Sequence, residues 1–598
     1  MINFISARPS KNWEGYAELG YSSYNDVYAE AAVGGPLSDR VRFRVSGRAE
    51  KADGYWKNYA PGGKDYIETK FFGIRGQLEV DVSDTLTALV SVSFDKNPKH
   101  VEGVYKAENF YIKDGQPTVL PANVDAYGTG PGNDISGYRD EISRAQGGLL
   151  NNQGFFKNER FSPTLTLTQT IGDMTITSLT NYTKFSFGFN EDCDGGPVDY
   201  CQFPFSENMK QYSEELRVNG TTGNLTYTAG IYYLNVDIYN PTGFFFPSLS
   251  GTSYAFYDNN IIRQKNESIA AFGQLEYQVT DKLKLTIGGR YTHDRLKIDS
   301  KLYFHELGNG YSGGTGTTVF DPPLLTYDFS EATVGDLATH SVDLFSGKIG
   351  LDYKPNKDVL LYASVSRGVK GPGFNTNISG NLTTAETPFK SEYLYAYEIG
   401  AKLQLLDKML RMDIGAYNYD YHRFQGYAFT GLQGVVGNYD GYFRGGELAL
   451  TATPFYGFSA SLGAAYLQTK LKDVPTKYNG VIDQEGVLAP KWTLNGQISQ
   501  RFDIGQGHLD VKWSGNYIGS RYSSIDNNAA TFIRPSFVHN IRAAYTLPDS
   551  GVEFAVFMNN ISNKDRETYS FDFVATTGSV VRSYDKPRWI GGSIRKTF

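Results

Sequence analysis

Long apolar runs are missing from this sequence. No stretch approaches the roughly 18 consecutive apolar residues of a membrane-crossing helix, and mean hydropathy is −0.39, so a helical membrane protein is excluded. Cysteine occurs only at Cys193 and Cys201, too few for a cysteine-based metal cluster or a multi-bridge disulfide scaffold. The seven histidines (His100, His293, His305, His340, His422, His508 and His539) are scattered, and none forms a pair at zinc-ligand spacing. A basic surplus is missing too. With 57 Lys and Arg against 64 Asp and Glu, the net charge is −7 and the pI near 5.7, which argues against nucleic acid as a partner. Met1-Ile2-Asn3-Phe4-Ile5 has neither the basic start nor the apolar core of a signal peptide. Gly371-Pro372-Gly373 and Gly445-Gly446 lack the strand–helix unit of a phosphate cradle. Acid pairs such as Asp192/Asp194 have no cleft around them in the sequence pattern. Catalysis, cofactors and bound metal are therefore not expected.

What the sequence does have is 44 Tyr, 38 Phe and 65 Gly against 6 Met. Aromatic girdles and small lumen residues on a large sheet use this composition. Apolar residues recur at every second position. Val41, Phe43 and Val45 alternate with Arg42 and Arg44; Phe72, Ile74, Leu78 and Val80 alternate with Arg75, Gln77 and Glu79. Leu283, Leu285, Ile287 and Tyr291 alternate with Lys284, Thr286 and Arg290. The sequence ends on such a strand, Arg588 to the aromatic Phe598, with Ile590 and Ile594 on one face and Ser593 and Arg595 on the other. A membrane barrel needs a terminal strand of this kind, because its last strand must pair with its first.

Soluble sandwiches alternate in the same way, so connection lengths decide. Short turns (Pro36–Asp39, Val82–Asp84, Thr221–Gly223, Thr280–Asp281, Pro355–Lys357, Leu406–Lys408, Pro548–Ser550) alternate with long polar stretches near 98–160, 188–208, 239–265, 301–340, 371–390, 473–487 and 564–586. Short turns on one rim and long loops on the other describe a bacterial outer-membrane barrel, with periplasmic turns and extracellular loops. The expectation is an all-β, antiparallel transmembrane barrel of about 22 strands. Val41, Phe43, Val45, Phe72, Ile74, Leu78 and Val80 should face lipid, and Arg42, Arg44, Arg75 and Glu79 the lumen. Cys193 and Cys201 flank Gly195-Gly196-Pro197 inside an outer loop and are expected to form a disulfide in an oxidising compartment.

Several segments resemble the TonB-dependent outer-membrane receptors. Gln211-Tyr212-Ser213-Glu214-Glu215-Leu216-Arg217-Val218 is similar to that family's Q-x-S-Q-E-L-R-L strand. Leu361-Tyr362-Ala363-Ser364-Val365-Ser366-Arg367-Gly368-Val369-Lys370-Gly371-Pro372-Gly373-Phe374-Asn375 resembles L-Y-A-S-x-S-x-G-F-K-x-G-x-F-N. Tyr397-Glu398-Ile399-Gly400-Ala401-Lys402 resembles Y-E-x-G-x-K, and Asn559-Asn560-Ile561-Ser562-Asn563-Lys564 the penultimate strand's N-L-x-D/N-K. Ile269–Leu275 followed by Thr280–Thr292 resembles the family's hairpin at that place. The likeness runs through residues 13–598.

At the other end, Ile2-Asn3-Phe4-Ile5-Ser6-Ala7-Arg8-Pro9 resembles only the last strand of the family's plug domain. Residues 1–12 are thus expected to be a plug remnant and linker, and 13–598 the barrel. The resemblance implies a parent protein in the outer membrane of a Gram-negative bacterium. It implies a monomer coupled to the TonB complex through plug and TonB box, taking up a scarce ligand, by default an iron–siderophore complex. A passive porin-like channel, uptake of a carbohydrate or aromatic small molecule, and a loop-based surface-binding protein are the other readings. Aromatic residues crowd the expected loops, and Phe244, Phe245, Phe246, Tyr254, Tyr257 and His305 are the ligand-contact candidates. The same residues also fit loop-on-loop packing.

Overall fold

Two neighbouring strands, Val41–Ala52 and Thr69–Asp81, show how the alternation becomes architecture. Their register sets Arg42 opposite Glu79, Phe43 opposite Leu78 and Val45 opposite Gly76. Val45, Phe72, Ile74 and Leu78 are exposed on the outer face, whereas Arg42, Gln77 and Glu79 are buried on the lumen side. The Arg42 guanidinium donates to Glu79 at 2.9 Å and to Asp81 at 2.7 Å. Charges that would be costly in hydrocarbon are thereby satisfied inside the wall. The lipid and lumen faces are those the alternation predicts.

The computed structural model describes residues 5–101, 105–246, 255–307, 323, 325–376, 382–430 and 433–598. Its main sheet is a closed antiparallel barrel of 22 strands. In chain order they are Glu14–Ser22, Asp26–Ser38, Val41–Ala52, Thr69–Asp81, Leu86–His100, Phe155–Ile171, Met174–Asp192, Gln202–Thr222, Leu225–Phe246, Ala255–Thr280 and Leu283–Leu307. They continue as Thr339–Asn356, Val359–Lys370, Glu392–Leu405, Leu410–Thr430, Gln433–Ala452, Phe458–Thr476, Trp492–Ile504, Gly507–Ile518, Ser536–Leu547, Val552–Asn559 and Trp589–Thr597. The first and last pair from Tyr16 opposite Thr597 to Ser22 opposite Gly591. Gly15 and Phe598 add mutual backbone bonds of 2.9 and 3.0 Å, so no edge strand is left open. Lys596, the one charge on the outward face of the last strand, donates to the Ser550 carbonyl at the inner turn. No helix among the described residues is long and apolar enough to cross a membrane.

Inner-rim connections are two to five residues long, as in Asp39-Arg40 and 453–457. The outer rim differs from expectation in two ways. Ser23-Tyr24-Asn25 is a tight outer turn, with Tyr24 and Asn25 both left-handed at φ 69° and 51°. Stretches 188–208 and 239–265, expected as loops, are largely strand among their described residues, and 301–340 begins as strand: pairing continues to Asp192, resumes at Gln202, and runs on to Phe246, from Ala255 and to Leu307. Beyond the bilayer the outward face no longer has to be apolar. The sequence signal fades there while the backbone ladder persists. Strands Ala255–Thr280 and Leu283–Leu307 have 26 and 25 residues, against the roughly 9–11 that cross a membrane. Strands Glu14–Ser22 and Val552–Asn559 have 9 and 8. The outer wall is therefore tall on one side and low on the other.

Candidate functional site

The outer loops are built rather than loose. Lys106–Lys113 and Gln116–Val119, from the loop after His100, join Glu567–Phe573 and Ser579–Tyr584, from the loop after Asn559, in one four-stranded sheet. A helical turn, Val574–Thr577, ends at Gly578 in the left-handed region (φ 72°). A Cβ at Gly578 would meet the Tyr127 ring at 2.7 Å, so glycine is required there twice over. Phe110, Ala530, Val574 and Val580 form one buried core under this sheet.

A second core joins the sheet to the tall wall. Cys193, Tyr200, Cys201, Phe244, Phe246, Phe573 and Val581 are buried together. Cys193 and Cys201 are disulfide-linked, with their Cα atoms 5.3 Å apart. Asp192 accepts from the backbone of Asp194 and Gly195 at 3.2 and 3.0 Å. Asp194 accepts from Gly196, Tyr200 and Cys201 at 2.9, 3.2 and 2.7 Å. The acid pair is thus the scaffold of the disulfide loop. Burial pushes the Asp192 carboxyl up to about 7; burial and the Asp192 charge hold Asp194 well above the usual carboxylate range.

The aromatic candidates divide by strand parity. Phe244 and Phe246 face inward and are buried in the loop core. Phe245 lies opposite Tyr257, and Tyr257 opposite His305, on the outward face of the wall. Their rings follow one another at 6.2 and 6.4 Å. Tyr254 falls outside the described residues. Phe244 and Phe246 pack loop on loop, and the Phe245–Tyr257–His305 ladder points away from the lumen. Of the remaining loop histidines, His100 is buried with Nδ1 2.7 Å from the Pro98 carbonyl. His340 packs at a tilt against Phe374, ring centres 4.6 Å apart, and burial lowers its pKa.

A polar cleft of about 280 Å³ opens in the loop sheet, lined by Lys106, Glu108, Asn109, Arg139, Asp140, Arg534, Arg582 and Tyr584 among others. Four cations there face two acids. Lys106 pairs with Asp140 at 2.9 Å and Arg582 with Glu108 at 2.7 Å. Arg582 also engages Glu567, which burial pushes up and Arg582 pulls down. The other two cations are barely neutralised. Arg534 is 70% exposed and 4.0 Å from Glu108, and Arg139, also exposed, has no carboxylate within 4.0 Å among the described residues. Sequence reasoning missed this cleft because its residues come from three loops, the first of them hundreds of positions from the other two. Among the described residues no group of three His, Cys, Asp or Glu side chains is placed to hold a metal ion.

The profile of the TonB dependent receptor-like β-barrel family matches residues 102–561. Pesticin receptors of Yersinia pestis and Yersinia enterocolitica are similar, each 20% identical over 59% of this chain and 46% of the relative. The chain spans about half the length of these curated relatives. Among solved structures, the ferric yersiniabactin uptake receptor FyuA from Yersinia pestis superposes with a TM-score of 0.77 at 16% identity, over 99% of this chain and 81% of that one. The siderophore receptor PiuA from Acinetobacter baumannii gives 0.70 at 16%, over 99% and 82%. The copper transporter OprC gives 0.65 at 11%, over 99% and 81%. At such identities the likeness is one of fold.

Proposed function

The chain belongs to the TonB-dependent receptor β-barrel family, and on that premise we propose that it is the outer-membrane barrel of an energy-coupled receptor for a scarce anionic ligand, an iron–siderophore complex in the first instance. The observation that carries this reading is the cationic surplus in the outer cleft. A chain of net charge −7 places Arg139 and Arg534 there with little neutralisation. Ferric chelates with catecholate, hydroxamate or carboxylate donors often retain negative charge, and planar guanidinium forks suit such oxygens. The pesticin receptors and two of the three solved neighbours support the choice of cargo.

Residues 5–12 are the end of a plug in this proposal. In its support, Ser6 accepts a bond from the lumen residue Arg75, Arg8 lies 3.9 Å from Glu79, and Pro9 is buried. A plug completed upstream of this segment would close the lumen, and the TonB complex would move it. No catalytic step is involved.

The deciding experiment joins this chain to a plug domain in cells lacking other receptors and follows uptake of a labelled ferric chelate. Uptake should cease on addition of a proton uncoupler, and the barrel without the plug should form a large, poorly selective pore in planar bilayers. Uptake that persists unchanged in the uncoupler means a passive channel instead. Ligand retention without uptake in either form means a surface-binding protein.

A further inference from the structure

The outward face of the wall carries charges that the cargo cannot reach. In strands Val359–Lys370 and Glu392–Leu405, Leu361, Val365, Tyr395, Tyr397 and Ile399 are exposed on the lipid side. Arg367 shares their parity and lies opposite Tyr395. Its guanidinium sits 4.5 Å from the centre of the Tyr393 ring and 5.9 Å from that of Tyr395, and it donates to the Phe345 carbonyl. Arg423 approaches the same Tyr393 ring at 5.2 Å. Two strands on, Arg444 lies over Tyr442 at 4.6 Å and donates to Gln468 at 3.0 Å. Three arginines are thus stacked on tyrosines along the outside of the barrel.

Their height places them at the top of the membrane. Arg367 is the ninth residue of its strand counted from the inner turn at Val359, and Arg444 the ninth counted from Ala452. About 9–11 tilted residues cross the hydrocarbon, so both guanidinium groups stand at the outer interface, with Arg423 slightly above. No carboxylate lies within 4.0 Å of any of the three among the described residues. The acids nearest in register form no ion pair with these arginines. Asp420, opposite Tyr395 and Tyr442, accepts from Asn418 at 2.9 Å, and Asp440 accepts from the Arg423 backbone at 2.9 Å. His422 packs edge-on against Tyr395 at 5.8 Å.

We infer that this arginine–tyrosine belt is a binding surface for the phosphate groups of the glycolipid in the outer leaflet. Packing over a tyrosine covers one face of each guanidinium; Arg367 and Arg444 each spend one N–H on a protein acceptor, and the remaining in-plane N–H donors can take a phosphate oxygen. The bilayer supplies the counterion. The belt lies outside the barrel, directly above the apolar band, where lipid head groups and not soluble ligands are concentrated. The stacked rings fix side chains that would otherwise lose much rotamer freedom on binding.

The purified, folded chain in detergent, mixed with diphosphoryl lipid A, its dephosphorylated form or inorganic phosphate, tests this by native mass spectrometry. The phosphorylated lipid should be retained about tenfold better than the dephosphorylated one, as expected for charge-assisted contacts. Millimolar inorganic phosphate should not displace it. The R367Q/R423Q/R444Q variant should lose the preference, and R367K/R423K/R444K, which keeps the charge, should retain a reduced one. Equal retention of the two lipids by the unmodified chain overturns the inference, whether or not the glutamine variant folds. So does an unchanged preference in a folded glutamine variant. Displacement by inorganic phosphate overturns it in favour of a small-anion site.

Discussion

Asp258 shows how one carboxyl conditions the tall wall. It is buried behind Phe244, whose backbone N–H donates to one of its oxygens, and its other oxygen has no hydrogen-bond partner among the described residues. Burial pushes its pKa up to about 8. Between about pH 4 and pH 8 the folded state therefore holds a proton that the unfolded state has released, so stability falls as pH rises through that window. D258N, neutral at every pH, should leave low-pH stability unchanged. It should slow hydrogen exchange at residues 244–246 above pH 8, by an amount on the order of a few kcal/mol. Identical exchange profiles for the two proteins across pH 4–9 would refute this. A second residue-level test concerns face. L78R, on the lipid side, should cost about 2–4 kcal/mol in reversible folding into bilayers, and Q77R, in the lumen, much less. Equal costs would mean the strand is shifted by one residue.

At the scale of elements, the disulfide loop is held by a bond, a buried core and two carboxylates. Replacing both Cys193 and Cys201 by Ser should remove about 2–3 kcal/mol of chain-entropy stabilisation for a loop this short. Faster proteolysis confined to 193–201, with the barrel's melting temperature unchanged, is the expected result. Loss of the whole barrel would show that the loop matters to more than the outer cap. The strand and face assignments near Phe72–Val80 were legible in the sequence because hydrocarbon on one side and charge on the other enforce a period of two. The upper halves of Leu225–Phe246 and Ala255–Thr280 were not, since both faces there meet water or protein and either residue type is tolerated. The same loss explains Phe244-Phe245-Phe246, where parity sends neighbours to opposite faces that composition cannot distinguish. The cleft was illegible for a different reason: Lys106, Arg139, Arg534 and Arg582 become neighbours only where three loops meet, the first of them distant in sequence from the other two.

At the scale of the whole molecule, circular dichroism in detergent should show β-structure with negligible helix, and unboiled protein should migrate anomalously on a gel. Appreciable helix, or solubility without detergent, would contradict the barrel. The seam between Glu14–Ser22 and Trp589–Thr597 has a consequence for how such a wall is made. Only seven register pairs join these strands, and they bring together the two ends of a 598-residue chain. Every other barrel contact is between sequence neighbours and can form locally. The seam must wait for the largest loop closure in the molecule, and contacts of such separation form slowly. Until it zips, the nascent sheet has two raw edges. Gly592 belongs to both ladders of the last strand, opposite Tyr21 and Val556, so a proline there should delay the heat-modifiable band while leaving the dichroism spectrum nearly unchanged. An unfinished ring with normal secondary structure is the species an assembly machine would have to hold, and the short, final strand is the handle by which it could do so.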